Sequence, residues 1–381
     1  MWLTLKKMAG NQPASTTATG PAAVDRPVAV VSLGEMLIDL VPERGSGGGT
    51  SLGEARRFVK AAGGAPANVA VATTKLGVNG ALIAAIGDDP FGRFLLRELA
   101  DNRVDASAVA LVPQQTAVAF VGLSEAGERD FMFYRADAAH DRLSVEQVER
   151  ALALPALRGA SVLHVGSNSL AAQPAADASE RAIELATGAG MTVSMDVNLR
   201  LPFWDDERRA KAAVERLLPH AGLVKLSLEE LEFLVGETGH DAGHDAGHDA
   251  GHDAGLDAAH DGAHDGAERF AASLLARNAR LVCVTLGRGG AWYFTAAGSG
   301  SVAAPVVASV DTTGAGDAFA AAILAAHVAT PSRWADPAAT REAVGRACAY
   351  GALTTTRRGA IPAYQDAAAL QNFITSAGIA W

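Results

Sequence analysis

Residues 311–319 read Asp311-Thr312-Thr313-Gly314-Ala315-Gly316-Asp317-Ala318-Phe319. An apolar, β-branched stretch, Val302 to Val310, precedes them and an alanine-rich run, Ala318 to Ala326, follows, so a strand is expected to give way here to a helix. Gly314 and Gly316 permit a tight turn and a close approach of the backbone to a ligand. The first N–H groups of the new helix have no intrahelical partner. With the positive end of the helix dipole, they suit a phosphate or a developing oxyanion. Asp317 is out of place in such a cradle unless it takes the proton from a hydroxyl as that hydroxyl attacks phosphorus. Taken alone, the same residues also read as a capped helix start. Two common nucleotide signatures are absent: no Gly-x-x-x-x-Gly-Lys-[Ser/Thr] occurs, and Phe319 occupies the last position of Gly-x-Gly-x-x-[Gly/Ala].

Upstream, short apolar runs recur at Val28 to Leu33, Ala81 to Ile86, Ser161 to Val165, Thr192 to Met195, Leu223 to Leu226 and Leu281 to Leu286. Helical stretches separate several of them, at Ala67 to Leu76, Phe91 to Asn102, Ala176 to Ala186 and Glu207 to Leu218. This alternation predicts an α/β fold with a doubly wound, mostly parallel sheet, whose ligands bind at the carboxyl ends of strands. Two stretches break the rhythm. Asp39 to Lys60 and Thr116 to Arg135 look like hairpins, the second pairing Ala117 to Leu123 with Arg129 to Tyr134 around a turn at 124–128, and together they would form a small β lid. A lid suits phosphoryl transfer, because the acceptor hydroxyl must reach phosphorus before water does.

Residues 1–26 show no periodicity and are expected to be a disordered leader, which leaves residues 27–380 as the folded domain. Residues 239–266 repeat Gly-His-Asp-Ala and then degenerate; they hold six of the ten histidines. His at four-residue spacing is a weak zinc or nickel signal, but Gly at every fourth position opposes helix, so the segment reads as a disordered insertion.

The net charge of −10 argues against nucleic-acid or anionic-membrane partners, though not against a nucleotide held by local amides and cations. Cys283 and Cys348 are far apart and form no metal spacing. With no apolar run of the ~18 residues needed to cross a bilayer and no secretory signal, a cytoplasmic enzyme is expected. Exposed lid strands offer a surface for a homodimer.

Other polar groups follow strand candidates. Gly63-Gly64-Ala65-Pro66-Ala67-Asn68 opens a helix and offers Asn68 to polyol hydroxyls; Gly34-Glu35-Met36-Leu37-Ile38-Asp39 places an acid past the first strand. Tyr134-Arg135 and Asp196-Val197-Asn198-Leu199-Arg200 add arginines suited to oxygen-rich or anionic ligands. Lys225-Leu226-Ser227-Leu228-Glu229-Glu230 brings acids to a helix start, where they serve either the dipole or magnesium. Thr285-Leu286-Gly287-Arg288-Gly289-Gly290 ends a strand in a turn fit for phosphate or ribose, or for a hairpin into Ala291 to Phe294.

The motifs at 63–68 and 311–319, in this order and separation, resemble those of the ribokinase-like family of sugar kinases, also called the phosphofructokinase-B family; the resemblance covers about residues 28–365. It implies a three-layer α/β/α core with a β lid and ATP-dependent phosphorylation of a sugar hydroxyl. By resemblance, Asp317 is the general base and the amides of Gly314, Ala315, Gly316 and Asp317 form the anion hole. Within the family, the segments at 34–39, 196–200 and 225–230 look most like fructokinases. Asp39, Gly63, Gly64, Asn68, Arg135 and Arg200 would then bind the sugar, Lys225, Ser227, Thr285, Gly287 and Gly290 would flank ATP, and Glu230 would be the acid linked to Mg2+. Ser227 stands where many relatives have Asn. A monovalent cation such as K+ is compatible with this reading. Kinases for 2-keto-3-deoxygluconate, then ribose or adenosine, are the alternatives within the family, and a non-catalytic sugar-binding module is the alternative outside it.

Overall fold

The computed structural model describes residues 27–43, 51–123, 129–135, 137–236 and 256–381. In chain order its elements are β1 (Val30–Leu33), β2 (Leu37–Pro42), β3 (Phe58–Gly63), α1 (Ala65–Lys75), β4 (Gly80–Gly87), α2 (Pro90–Asp101), β5 (Val109–Val112), β6 (Val118–Leu123) and β7 (Arg129–Tyr134). There follow α3 (Val145–Leu152), β8 (Val162–Gly166), α4 (Ala175–Gly188), β9 (Thr192–Asp196), α5 (Glu207–Leu217), β10 (Leu223–Ser227), α6 (Leu228–Val235) and α7 (Leu256–Leu275). The chain closes with β11 (Leu281–Thr285), β12 (Ala291–Thr295), β13 (Gly298–Val302), α8 (Ala315–Ala329), α9 (Pro337–Thr355) and α10 (Ala367–Ser376).

Among the described residues, nine strands form one sheet in the order β13-β12-β11-β10-β9-β8-β1-β4-β5. It is parallel from β11 to β5, and β12 and β13 run antiparallel at one edge. Alternate side chains of each strand serve opposite faces. Val30, Leu82, Leu223 and Cys283 pack with α1, α2, α8, α9 and α10, whereas Val31, Ile83, Leu163, Val224 and Val282 pack with α3 to α7. Strands buried on both faces read as unbroken apolar runs, which is why β1, β4 and β11 were legible. From β1 the chain winds first toward β4 and β5 on one face, then toward β8 to β11 on the other. The strand order therefore reverses between β1 and β8, and a crevice opens beyond their carboxyl ends. The lid is a separate four-stranded sheet, β3-β2-β6-β7, as the two hairpin regions implied.

Two expectations need correction. The stretch Val302 to Val310 is a strand only to Val302; residues 303–310 have no ladder partner, and Val306 is fully exposed. The expected disordered insertion 239–266 is helical from Leu256 onward. Ala263, Ala267, Phe270, Ala271 and Leu274 lie at helical spacing and pack into the core, and the His264 ring stands edge-on to Trp292 at 5.0 Å between centroids. Residues 1–26, 44–50, 124–128, 136 and 237–255 lie outside the described residues, and with them the leader, the lid turn and the repeat proper. No described helix is long and apolar enough to cross a membrane.

Candidate active site

Helix α8 begins at Gly314, whose φ of 77° is left-handed, as expected of a glycine at a sharp helix entry. A methyl group there would overlap the Tyr364 hydroxyl, which donates to the Gly314 carbonyl at 3.3 Å. Upstream, Asp311 Oδ1 accepts from the Thr313 N–H at 2.9 Å and its hydroxyl at 2.6 Å, while Oδ2 accepts from the Gly359 N–H at 2.9 Å. The turn is thus fastened on both sides before the helix starts. Gly314→Ala is expected to destabilise the fold by about 1–3 kcal/mol and to lower kcat roughly 10²-fold by displacing the amides that follow. A thermal melt with steady-state kinetics checks this; unchanged kcat would mean that these amides do not hold the reacting group.

Alanines of α8 allow close approach to α1, and Asn68 on α1 donates its side-chain N–H to Asp317 Oδ2 at 2.8 Å. Burial pushes the Asp317 carboxyl up from 3.8 to about 6; Asp196 adds to the rise, while Asn68, Lys225 and Arg200 oppose it. Lys225 on β10 lies in register with Asp196 on β9, and its Nζ donates to both carboxylate oxygens at 3.0 Å. A Cβ on Gly316 would lie 3.1 Å from the same Nζ, so the missing side chain lets the ammonium sit against the first turn of α8. Burial opposes the Lys225 charge, but Asp196, Glu230 and Asp317 together hold its pKa above the ordinary value. Backbone amides, a buried cation and a hard-to-ionise carboxyl therefore converge at one helix start. The set can receive a phosphoryl group and take a proton.

Residues 29–367 match the pfkB family of carbohydrate kinases. The chain belongs to this family. It is 41% identical to Fructokinase-2 of Solanum habrochaites over 339 residues, 89% of this chain and 93% of that one. It is equally identical to Fructokinase-1 of Oryza sativa subsp. japonica over 339 residues, 87% of this chain and 93% of that one. Fructokinase with bound ATP from Xylella fastidiosa superposes with a TM-score of 0.74 at 29% identity, covering 92% of this chain and 99% of that one. Fructokinase from Vibrio cholerae O395, in a form with fructose, ADP and calcium ion bound, gives 0.74 at 33% identity, with 91% and 99% covered. The protein is a carbohydrate kinase, and α8 lies at the carboxyl edge of a pfkB core.

The remaining sequence-predicted residues of this pfkB kinase fall into four groups. Asp39 on lid strand β2 lies against Gly63, and a Cβ on Gly64 would come within 2.5 Å of the Glu35 carbonyl, so these residues form one tight floor. Ser227 and Glu230 form a capping box at α6: Ser227 Oγ accepts from the Glu230 N–H at 3.3 Å, and Glu230 Oε2 accepts from the Ser227 N–H at 2.8 Å. Glu230 Oε1 accepts from the Leu199 N–H at 2.7 Å. Both Glu230 oxygens are thus engaged, and burial raises its carboxyl, aided by Asp196 and opposed by Lys225. Each oxygen keeps a further lone pair beyond the one bond it accepts. Thr285 donates to the Leu226 carbonyl at 3.3 Å, and Gly287 is open with φ 56°. Gly290 is pressed onto residues 302–304, so it serves the β11–β12 hairpin.

Arg135 stands at the end of β7 beside the crevice. Its Nη2 pairs with Asp141 Oδ1 at 3.0 Å, and its guanidinium lies 4.0 Å over the Phe203 ring. Arg200 is exposed and donates to the Leu199 carbonyl at 3.0 Å. Sequence reasoning missed Asp196, Asp141 and Asn168. Asp196 stood at the end of a quoted strand and could have been found by asking what neutralises Lys225. Asn168 donates to Glu35 Oε1 at 3.3 Å across the β1–β8 crevice, a pair visible only once strand order is known.

Proposed function

We propose that this carbohydrate kinase transfers the γ-phosphoryl group of ATP to a primary hydroxyl of a ketohexose, fructose in the first instance. The observation that carries the reading is Asp317: a carboxyl raised to about 6, oriented by Asn68, at a helix start that also presents amides and Lys225. As the sugar oxygen bonds to γ-phosphorus, its proton passes to Asp317 and the bond from γ-phosphorus to the bridging oxygen breaks, leaving ADP. Charge developing on the transferred group meets the amides of Gly314 to Asp317 and the Lys225 ammonium. Asp39, Gly63, Gly64 and Asn68 hold the sugar, with Arg135 and Arg200 at its edge. Lys225, Ser227, Thr285, Gly287 and Gly290 define the nucleotide side through their strand ends. Glu230 would be the acid linked to magnesium, which would supply charge neutralisation at the phosphates. A monovalent cation such as potassium belongs to the same reading, as does a homodimer through the lid, where Val59, Met132 and Tyr134 are exposed on edge strands β3 and β7.

The ketose is favoured over 2-keto-3-deoxygluconate because Arg135 already has a carboxylate partner in Asp141. A coupled assay of kcat/KM for fructose, 2-keto-3-deoxygluconate, ribose and adenosine, with ATP and magnesium, tests the proposal. Fructose is expected to lead; a preference for the sugar acid or the nucleoside would overturn it.

A further inference from the structure

At the crevice between β1 and β8, Glu35, Arg135, His140, Asn168 and the ring of Phe203 line a cavity of about 10 Å³, room for one water, and Asp141 stands behind Arg135 and His140 without lining it. His140 Nδ1 and Asn168 Oδ1 are buried without a hydrogen-bond partner, in side chains at least nine-tenths buried. The polar groups are therefore built toward something the protein itself does not supply. Their charges are also balanced. Arg135 pairs with Asp141, and the two side chains are only 18% and 12% exposed. His140, 3.4 Å from the same Asp141 oxygen, is kept neutral by burial and by Arg135, which lower its pKa to about 3. Burial raises Glu35, with Asn168 and Arg135 acting against the rise.

We propose that Asp141 is a specificity-determining residue: by neutralising Arg135 it makes this side of the sugar pocket fit uncharged hydroxyls and refuse a sugar acid. The inference rests on the proposed sugar site. Arg135 follows β7, and its neighbour Phe133 lies in register with Ala119 of β6, which pairs with Asp39 of β2, so the guanidinium stands beside the lid face that carries Asp39. A substrate carboxylate entering there would compete with an ion pair already made and already shielded from water. That exchange gains little, because the displaced Asp141 would be left buried and unpaired. A hydroxyl brings no such conflict and can donate its proton to either of the two open acceptors, Asn168 Oδ1 or His140 Nδ1, whose ring turns Nε2 toward Asp141.

The test is the ratio of kcat/KM for 2-keto-3-deoxygluconate to that for fructose in the full chain. Asp141→Ala is expected to raise the ratio roughly 10- to 100-fold, the worth of one charge-assisted contact, chiefly through a lower KM for the acid. Asp141→Asn keeps the size and the hydrogen bond to Arg135 while removing the charge. It should shift the ratio in the same direction, and it carries the test if the alanine variant misfolds. Adding Arg135→Ala to Asp141→Ala should abolish the gain. An unchanged ratio in both single variants, or a gain that survives loss of Arg135, overturns the proposal. Binding of gluconate followed by calorimetry gives the same comparison without turnover. Tighter binding by both Asp141 variants supports the role of Asp141 even if the wild type phosphorylates neither sugar, a result that would overturn the ketose reading alone.

Discussion

Asp317→Asn is expected to lower kcat by roughly 10²- to 10⁴-fold, the range for loss of a positioned base, while ATP and sugar still bind. The same substitution should stabilise the protein. Asp317 titrates at about 6 in the fold against an ordinary 3.8, so above pH 6 the native state carries a half-buried charge that the unfolded chain keeps fully in water. Removing it is worth on the order of 3 kcal/mol at neutral pH. Because the folded pKa is raised, the native state takes up its proton first as pH falls. The advantage of the variant should therefore shrink between pH 6 and pH 4 and vanish below. In the wild type, kcat/KM should fall as pH drops through about 6, when the base becomes protonated. Melting curves and pH–rate profiles of both proteins check the pair of effects. Near wild-type turnover in the variant would remove Asp317 from the chemistry, and a lower melting temperature at pH 8 would show that its burial is not a burden.

Lys225→Met is expected to act in the opposite sense on stability. Asp196, whose side chain is only 4% exposed, loses the ammonium that meets both of its oxygens, and an unpaired buried charge costs about 3–5 kcal/mol. The Asp317 carboxyl also loses an opposing positive charge, so the acid limb of the pH–rate profile should move to higher pH. Adding Asp196→Asn should restore much of the stability but not the turnover, since an apolar or neutral pair can pack where half an ion pair cannot. Chemical denaturation of the single and double variants measures this. A single variant as stable as the wild type would show that Asp196 finds another partner.

The architecture was legible because a parallel sheet covered on both faces needs continuous apolar strands, and Val30–Leu33, Gly80–Gly87 and Leu281–Thr285 supply them. Composition misled at two places. Val302 to Val310 is as apolar as a strand, but β12 begins at Ala291, opposite Val302, so the ladder runs out there and residues 303–310 have no strand partner among the described residues. In the repeat, glycine at every fourth position hides the point, Leu256, after which alanines and Phe270 give a helix a face to bury. In the candidate site, Gly314, Gly316, Asp317 and Asn68 were readable as local motifs. The partners Asp141, Asp196 and Asn168 were not. Asn168 lies 133 residues from Glu35, and Asp196 lies 29 from Lys225; only the order of strands makes them neighbours.

The floor formed by Asp39, Gly63 and Gly64 lies where lid strand β3 runs into core helix α1. Asp39 belongs to the lid sheet, whereas Asn68 and Asp317 belong to the α1–α8 layer of the core. On the proposed function, a sugar held between them would be a cross-link, and part of its binding free energy would go into keeping lid and core together. Whatever factor sugar adds to ATP affinity by this route, ATP must return to sugar affinity, since the coupling is one free energy reached from either side.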